Sequence, residues 1–130
     1  MTVIEARLTR DTETFGKMDP YVKLSTRQQQ YKTATKNSAG KTPVWNQTFQ
    51  IDVKYIGDDM NVEVYDEDPG SDDIIGVAVI KLSALCVAGG IDEWFGIAYR
   101  GKSSGQVHLK GMFKPAAVQG QAQPQQAAQQ

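Results

Sequence analysis

Val62-Glu63-Val64-Tyr65-Asp66-Glu67-Asp68-Pro69-Gly70-Ser71-Asp72-Asp73-Ile74-Ile75-Gly76 is the stretch on which the fold of this chain turns. Val62 and Val64 alternate with Glu63 and Tyr65, a period of two that reads as a strand with one apolar face. Ile74-Ile75-Gly76 opens another strand, so the acids between them lie in a loop joining two strands. Five of the fifteen acidic residues fall in that loop: Asp66, Glu67, Asp68, Asp72 and Asp73. Like charges so close repel, and a loop that keeps them presents oxygens to a hard cation. Asp66 and Asp68 are two apart and point the same way in extended backbone. Pro69-Gly70 makes the turn that brings Asp73 back. Calcium takes six to eight oxygen ligands, so a second loop has to contribute. A solvated acidic turn is the alternative from charge pattern alone. An EF-hand is excluded, because its sixth and twelfth positions need Gly and Glu, and counting from Asp66 gives Ser71 and Val77.

Outward from this loop the chain reads as further strands. Phe49, Ile51 and Val53 alternate with Thr48, Gln50 and Asp52. Ala78, Ile80 and Leu82 share a face, as do Val107, Leu109 and Phe113. Val22 and Leu24 follow Asp19-Pro20, where proline opens a strand without interrupting it. Ser83 to Ala88, ended by Gly89-Gly90, is the one helical candidate. Six or seven strands separated by Gly, Pro, Asn and Asp predict an all-β antiparallel sandwich over residues 1–115. From Ala116 to Gln130 the chain uses only Ala, Val, Gln, Gly and Pro. It is too poor in apolar bulk to offset its ordering entropy, which predicts a flexible tail. An inert tail and one that binds a protein partner both fit that composition.

The formal net charge of −1 provides no general attraction to nucleic acid, so any electrostatic function is local. A single cysteine, Cys86, forms no internal disulfide and suits a reducing, cytoplasmic setting. Its apolar neighbours predict a buried structural thiol. The N-terminal segment lacks the long apolar run of a signal peptide or membrane span, and no lipidation motif is present. Contact with a membrane is therefore expected to be reversible. The lone His108 lies between Val107 and Leu109 on the outward period of a strand. No nucleophile and base stand in a recognisable order, so the chain is not read as an enzyme. A metal-assisted hydrolase needs an open metal position beside a general base, which the sequence does not nominate.

The second acidic loop lies upstream, in Glu13-Thr14-Phe15-Gly16-Lys17-Met18-Asp19-Pro20-Tyr21-Val22-Lys23-Leu24. With Val3 to Leu8 before it, Thr42-Pro43-Val44-Trp45-Asn46-Gln47-Thr48-Phe49 after it, and Val64 to Asp68 followed by Asp73 to Gly76, it resembles the C2 domain. The resemblance runs from Met1 to about Lys114. It implies an eight-stranded Greek-key β-sandwich of two four-stranded sheets, with Trp45 buried. It carries the family's calcium ligands onto Glu13, Asp19, Asp66, Asp68 and Asp73, with the carbonyls of Met18 and Glu67 and the hydroxyl of Ser71 as further candidates. Glu13 stands where the family usually has Asp. The loop before Asp73 is one residue short, which leaves Asp72 or Asp73 to close the cage. The implied function is calcium-dependent binding to anionic phospholipid, phosphatidylserine foremost. Phe15, Lys17 and Met18 are then placed at the membrane, although packing against the sandwich end also suits Phe15. Lys32, Lys36 and Lys41 fall where the family sometimes binds phosphoinositides, and they also read as an ordinary solvated face. A calcium-independent protein-interaction module on the same fold is the competing reading.

Overall fold

The computed structural model describes residues 1–115, so the expected tail and its partner lie outside the described residues. The chain forms β1 (Thr2–Leu8), β2 (Pro20–Ser25), β3 (Gln30–Lys32), β4 (Val44–Thr48), β5 (Asp59–Asp66), β6 (Asp73–Lys81), α1 (Leu82–Leu85), β7 (Ile91–Tyr99) and β8 (Lys102–Gly111). Neighbouring strands run in the order β3-β2-β5-β6-β7-β8-β1-β4, every pair antiparallel. β6 and β7 pair only at Val77 and Ala98. That narrow seam is where the order folds over into two four-stranded layers, β3-β2-β5-β6 and β7-β8-β1-β4. This is the all-β sandwich that the alternating strands predict.

The core is filled by the inward period of each strand. Val22 and Leu24 of β2, and Met60, Val62 and Val64 of β5, meet Val3 and Ala6 of β1 and Val107 and Leu109 of β8, all buried. Each aliphatic side chain of this kind stabilises the fold by roughly 1.5–3 kcal/mol when fully buried. Trp45 is buried as expected, and its Nε1 donates to the carbonyl of Pro20 at 3.3 Å, tying β4 in one layer to β2 in the other. Two glycines set how closely the backbone approaches its neighbours. A Cβ on Gly76 would lie 2.0 Å from the Ser104 Oγ. Gly105 has φ +138°, and a Cβ there would lie 2.4 Å from the Arg7 carbonyl oxygen.

Residues Phe49 to Val53 differ from expectation. Their side chains do alternate, with Phe49, Ile51 and Val53 packed against the core, but they belong to no strand. The β1–β4 ladder continues to Met1, whose backbone exchanges hydrogen bonds with Phe49 at 2.8 and 2.9 Å. Beyond Phe49 no strand among the described residues pairs with this segment. The helix is also shorter than Ser83 to Ala88 and begins one residue earlier. Cys86, just after it, is half-buried, and burial raises its thiol pKa, which suits the structural role.

Candidate metal centre

At one end of the sandwich the β1–β2 loop (residues 9–19) and the β5–β6 loop (residues 67–72) come together. β2 pairs with β5 from Pro20 opposite Asp66 onward, so the two loops leave adjacent strands side by side. Glu13, Asp66, Asp68 and Asp73 each offer a carboxylate oxygen here, and these atoms all lie within 4.8 Å of one another. Asp66 is fully buried at the base of the group. Its Oδ1 accepts the Asp19 backbone N–H at 2.7 Å, and its Oδ2 accepts the Thr12 hydroxyl at 2.8 Å. Thr12 is a positioning residue that spacing does not reveal, because it is 54 positions from its partner.

The proximity of these acids shows in their proton affinities. Glu13 is pushed up to about 8 by hydrogen bonding of its carboxyl to Asp66 and to Asp68, with desolvation and the charges of both adding to it. Asp68 is raised too, first through its hydrogen bond with Asp73. All four groups are hard oxygen donors, and their mutual repulsion is relieved by a cation. The donor set therefore fits calcium.

The other sequence candidates fall around this group. Asp73, rather than Asp72, stands with the cluster. Asp72 turns outward, where its Oδ2 accepts the Tyr21 hydroxyl at 2.5 Å and its Oδ1 accepts the Asp68 N–H at 3.1 Å. The Tyr21 hydrogen bond, the larger cause, lowers the Asp72 pKa. Asp19 lies beside the four, with its Oδ1 accepting the Ser38 N–H at 2.6 Å. Met18 is fully buried, and its carbonyl accepts the Gly40 N–H at 3.0 Å. Its side chain therefore belongs to the core, which corrects its expected place at a membrane. Glu67 is exposed, its carboxylate accepting the Thr35 hydroxyl at 2.5 Å, and Ser71 is exposed at the loop tip. Phe15 is 88% exposed, which excludes packing against the sandwich end. Lys17 beside it is exposed.

Lys32, Lys36 and Lys41 are held by different contacts. Lys32 stands on β3 with its Nζ 4.2 Å from the centre of the Tyr21 ring, which stacks on Tyr65. Lys36 is tied by its backbone to Pro20, whereas the carbonyl of Lys41 accepts the Leu8 N–H in the opposite layer. His108 lies on the outer face of β8, as expected. It stacks on Trp94 and reaches Asp92 through Nε2, with Glu5 beside Nδ1.

A family model described as "C2 domain" matches residues 1–97. The chain belongs to the C2 domain family. The match stops short of β8, which nonetheless lies between β1 and β7 of this C2 domain. The 16 kDa phloem protein 2 of Arabidopsis thaliana is 30% identical over 118 residues, which are 89% of this chain and 80% of that protein. Extended synaptotagmin-3 of Xenopus tropicalis is 36% identical over 96 residues, 73% of this chain but only 10% of the relative. A solved structure of two C2 domains of extended synaptotagmin 2, calcium bound, superposes with a TM-score of 0.70 at 27% identity. That likeness covers 84% of this chain and 42% of the other. No helix among the described residues is long and apolar enough to cross a membrane.

The raised affinity of Glu13 for a proton has a measurable sign. Its folded pKa lies above the ordinary 4.5, so the stability linked to that proton is present in full below pH 4.5 and lost as pH rises towards about 8. In chelator, the melting midpoint of the native domain is expected to fall across that window relative to a Glu13→Gln variant. Parallel curves for the two proteins would refute the linkage. Calcium bound to these carboxylates would displace that proton, so calorimetric titrations in buffers of different ionisation enthalpy are expected to show proton release.

Proposed function

We propose that this C2 domain docks on anionic phospholipid bilayers when calcium is bound by Glu13, Asp66, Asp68 and Asp73. The observation that carries this reading is the convergence of those four carboxylates at the sandwich end that also presents Phe15. Calcium held there would offset the carboxylate charge that repels anionic lipid and would offer its remaining positions to lipid phosphate or carboxylate oxygens. The chain's own residues do the rest. Asp66 is held by Thr12 and the Asp19 N–H, so its oxygens are fixed before the ion arrives. Asp19, Ser71 and the carbonyls of Met18 and Glu67 complete the ligand set. Phe15 supplies an aromatic ring for the headgroup boundary, and Lys17 adds a positive charge next to it. Phosphatidylserine is the preferred lipid, and recruitment from the cytoplasm is reversible because it follows calcium.

A further contact, with phosphoinositide phosphate, is supported on the β2–β3 face. There Lys32 lies over Tyr21 and Lys23 lies 5.4 Å from the Tyr65 ring centre. Each such lysine is worth about 1 kcal/mol near an acidic bilayer, so this face assists and does not replace the calcium site.

Co-sedimentation tests the proposal. The protein is expected to pellet with phosphatidylserine-containing vesicles in calcium and to stay in the supernatant in chelator or with phosphatidylcholine alone. Failure to pellet under every condition, with no rise in melting midpoint on adding calcium, would instead favour a calcium-independent protein-interaction module.

A further inference from the structure

Beside the acidic cluster, at the same end of the sandwich, lies a group of cations that the calcium reading does not use. The β7–β8 hairpin turns through Arg100 and Gly101, with φ +51° and +81°, the paired positive values of a tight two-residue turn. Asn, Asp or Gly is the ordinary occupant of the first position, because a larger side chain is strained there. Here it is an arginine. Its guanidinium lies 5.0 Å from the centre of the Tyr99 ring. Arg10, leaving β1, places a second guanidinium 3.7 Å from the same ring. Lys102 follows on the other arm of the hairpin. None of the three forms an ion pair among the described residues. With Ser103 and Ser104, Arg10, Tyr99 and Lys102 line a cleft of about 190 Å³.

Positive charges that form no ion pair among the described residues repel each other as the neighbouring acids do, and the arrangement is completed by an anion. Arginine forks match the oxygens of phosphate, and the Ser103 hydroxyl adds a neutral donor at the rim. Three cations suit a phosphomonoester, which carries close to two charges at neutral pH, better than a singly charged diester. The cleft also has a fixed relation to the calcium site. The Arg10 Nε donates to the carbonyl of Ile74 at 3.4 Å, one residue after Asp73.

We infer that the cleft between the end of β1 and the β7–β8 hairpin is a calcium-independent subsite for the phosphomonoester headgroup of a membrane lipid, held by Arg10 and Lys102 of its lining together with Arg100 from the turn beside it. A lipid is chosen over free phosphate because the cleft shares its end of the sandwich with the exposed Phe15. In that respect the inference rests on the proposed function.

The test uses the full chain in chelator with phosphatidylcholine vesicles containing either phosphatidic acid or phosphatidylserine at equal mole fraction. The native protein is expected to prefer phosphatidic acid. The Arg100→Gln, Lys102→Gln variant is expected to bind those vesicles about thirtyfold more weakly, the effect of two basic residues lost at an anionic surface. Its calcium midpoint for phosphatidylserine binding is expected to stay unchanged. No preference in the native protein, or a preference that survives in the variant, would overturn the inference. Amide NMR separates the lipid from free anion: short-chain phosphatidic acid in micelles is expected to shift the amides of Arg100 to Ser104 at concentrations where inorganic phosphate does not. Equal response to inorganic phosphate would overturn the lipid assignment. Phosphatidic acid preference without any calcium-dependent binding would support this subsite while removing the calcium proposal.

Discussion

Phosphatidylserine vesicles are expected to sediment an Asp66→Asn, Asp68→Asn variant no better in calcium than in chelator. The substitution removes two of the four carboxylates that converge within 4.8 Å. Calcium affinity tracks the number of charged ligands, so a loss of at least about a hundredfold is expected. Asp66 matters most, because it is buried and has both oxygens already oriented by Asp19 and Thr12. An amide at that position keeps one acceptor and turns an NH₂ group towards a donor. Folding of the variant is checked in chelator by near-ultraviolet circular dichroism, since removing like charges does not by itself disturb the strands. Calcium-dependent pelleting by a folded variant would sink the mechanism.

The largest effect on stability is expected at Gly105. Alanine there brings a methyl group to 2.4 Å from the Arg7 carbonyl oxygen and 2.8 Å from the Leu8 Cα, in a backbone conformation at φ +138° that L-residues avoid. Backbone atoms cannot step aside as a flexible side chain can. Either β8 moves away from β1 or the turn into β8 is rebuilt, at a cost of about 3 kcal/mol or more. For a domain of this size that lowers the melting midpoint by more than about 10 °C. Gly96→Ala is the matched control, because a Cβ there meets nothing within 4 Å and is expected to shift the midpoint little. Equal melting of the two variants would show that the close approach is relieved without cost.

What the sequence discloses about this domain follows from which interactions are local. Val62 and Val64, or Val22 and Leu24, announce their strands because burial alternates with the strand's own period. Phe49 to Val53 carries the same signal and forms no strand. The pattern reports which side chains face the core, while a strand also needs a neighbour, and no strand among the described residues pairs with this segment beyond Phe49. The acidic cluster is half visible. Asp66, Asp68 and Asp73 share one loop and Glu13 stands in a motif, so spacing brings them into view. Asp73 stands with the cluster, whereas Asp72 is bonded to the Tyr21 hydroxyl, 51 positions away. Thr12 and the Arg10 cleft are hidden for the same reason: each depends on a contact between loops distant in sequence.

The place of β8 bears on how the domain is born. This strand, the last of those described, is not an edge; it lies between β1 and β7 and bonds to both along nearly its whole length. A nascent chain leaving the ribosome therefore exposes one side of β1 until residues 102–111 emerge, with the places of Val107 and Leu109 in the core still empty. Pairing between the first strand and the last is slow, because a long loop has to close first. During that interval two bare strand edges are open to intruding chains. Synthesis, more than the finished fold, is thus the stage at which strand edges of this domain lie open to aggregation.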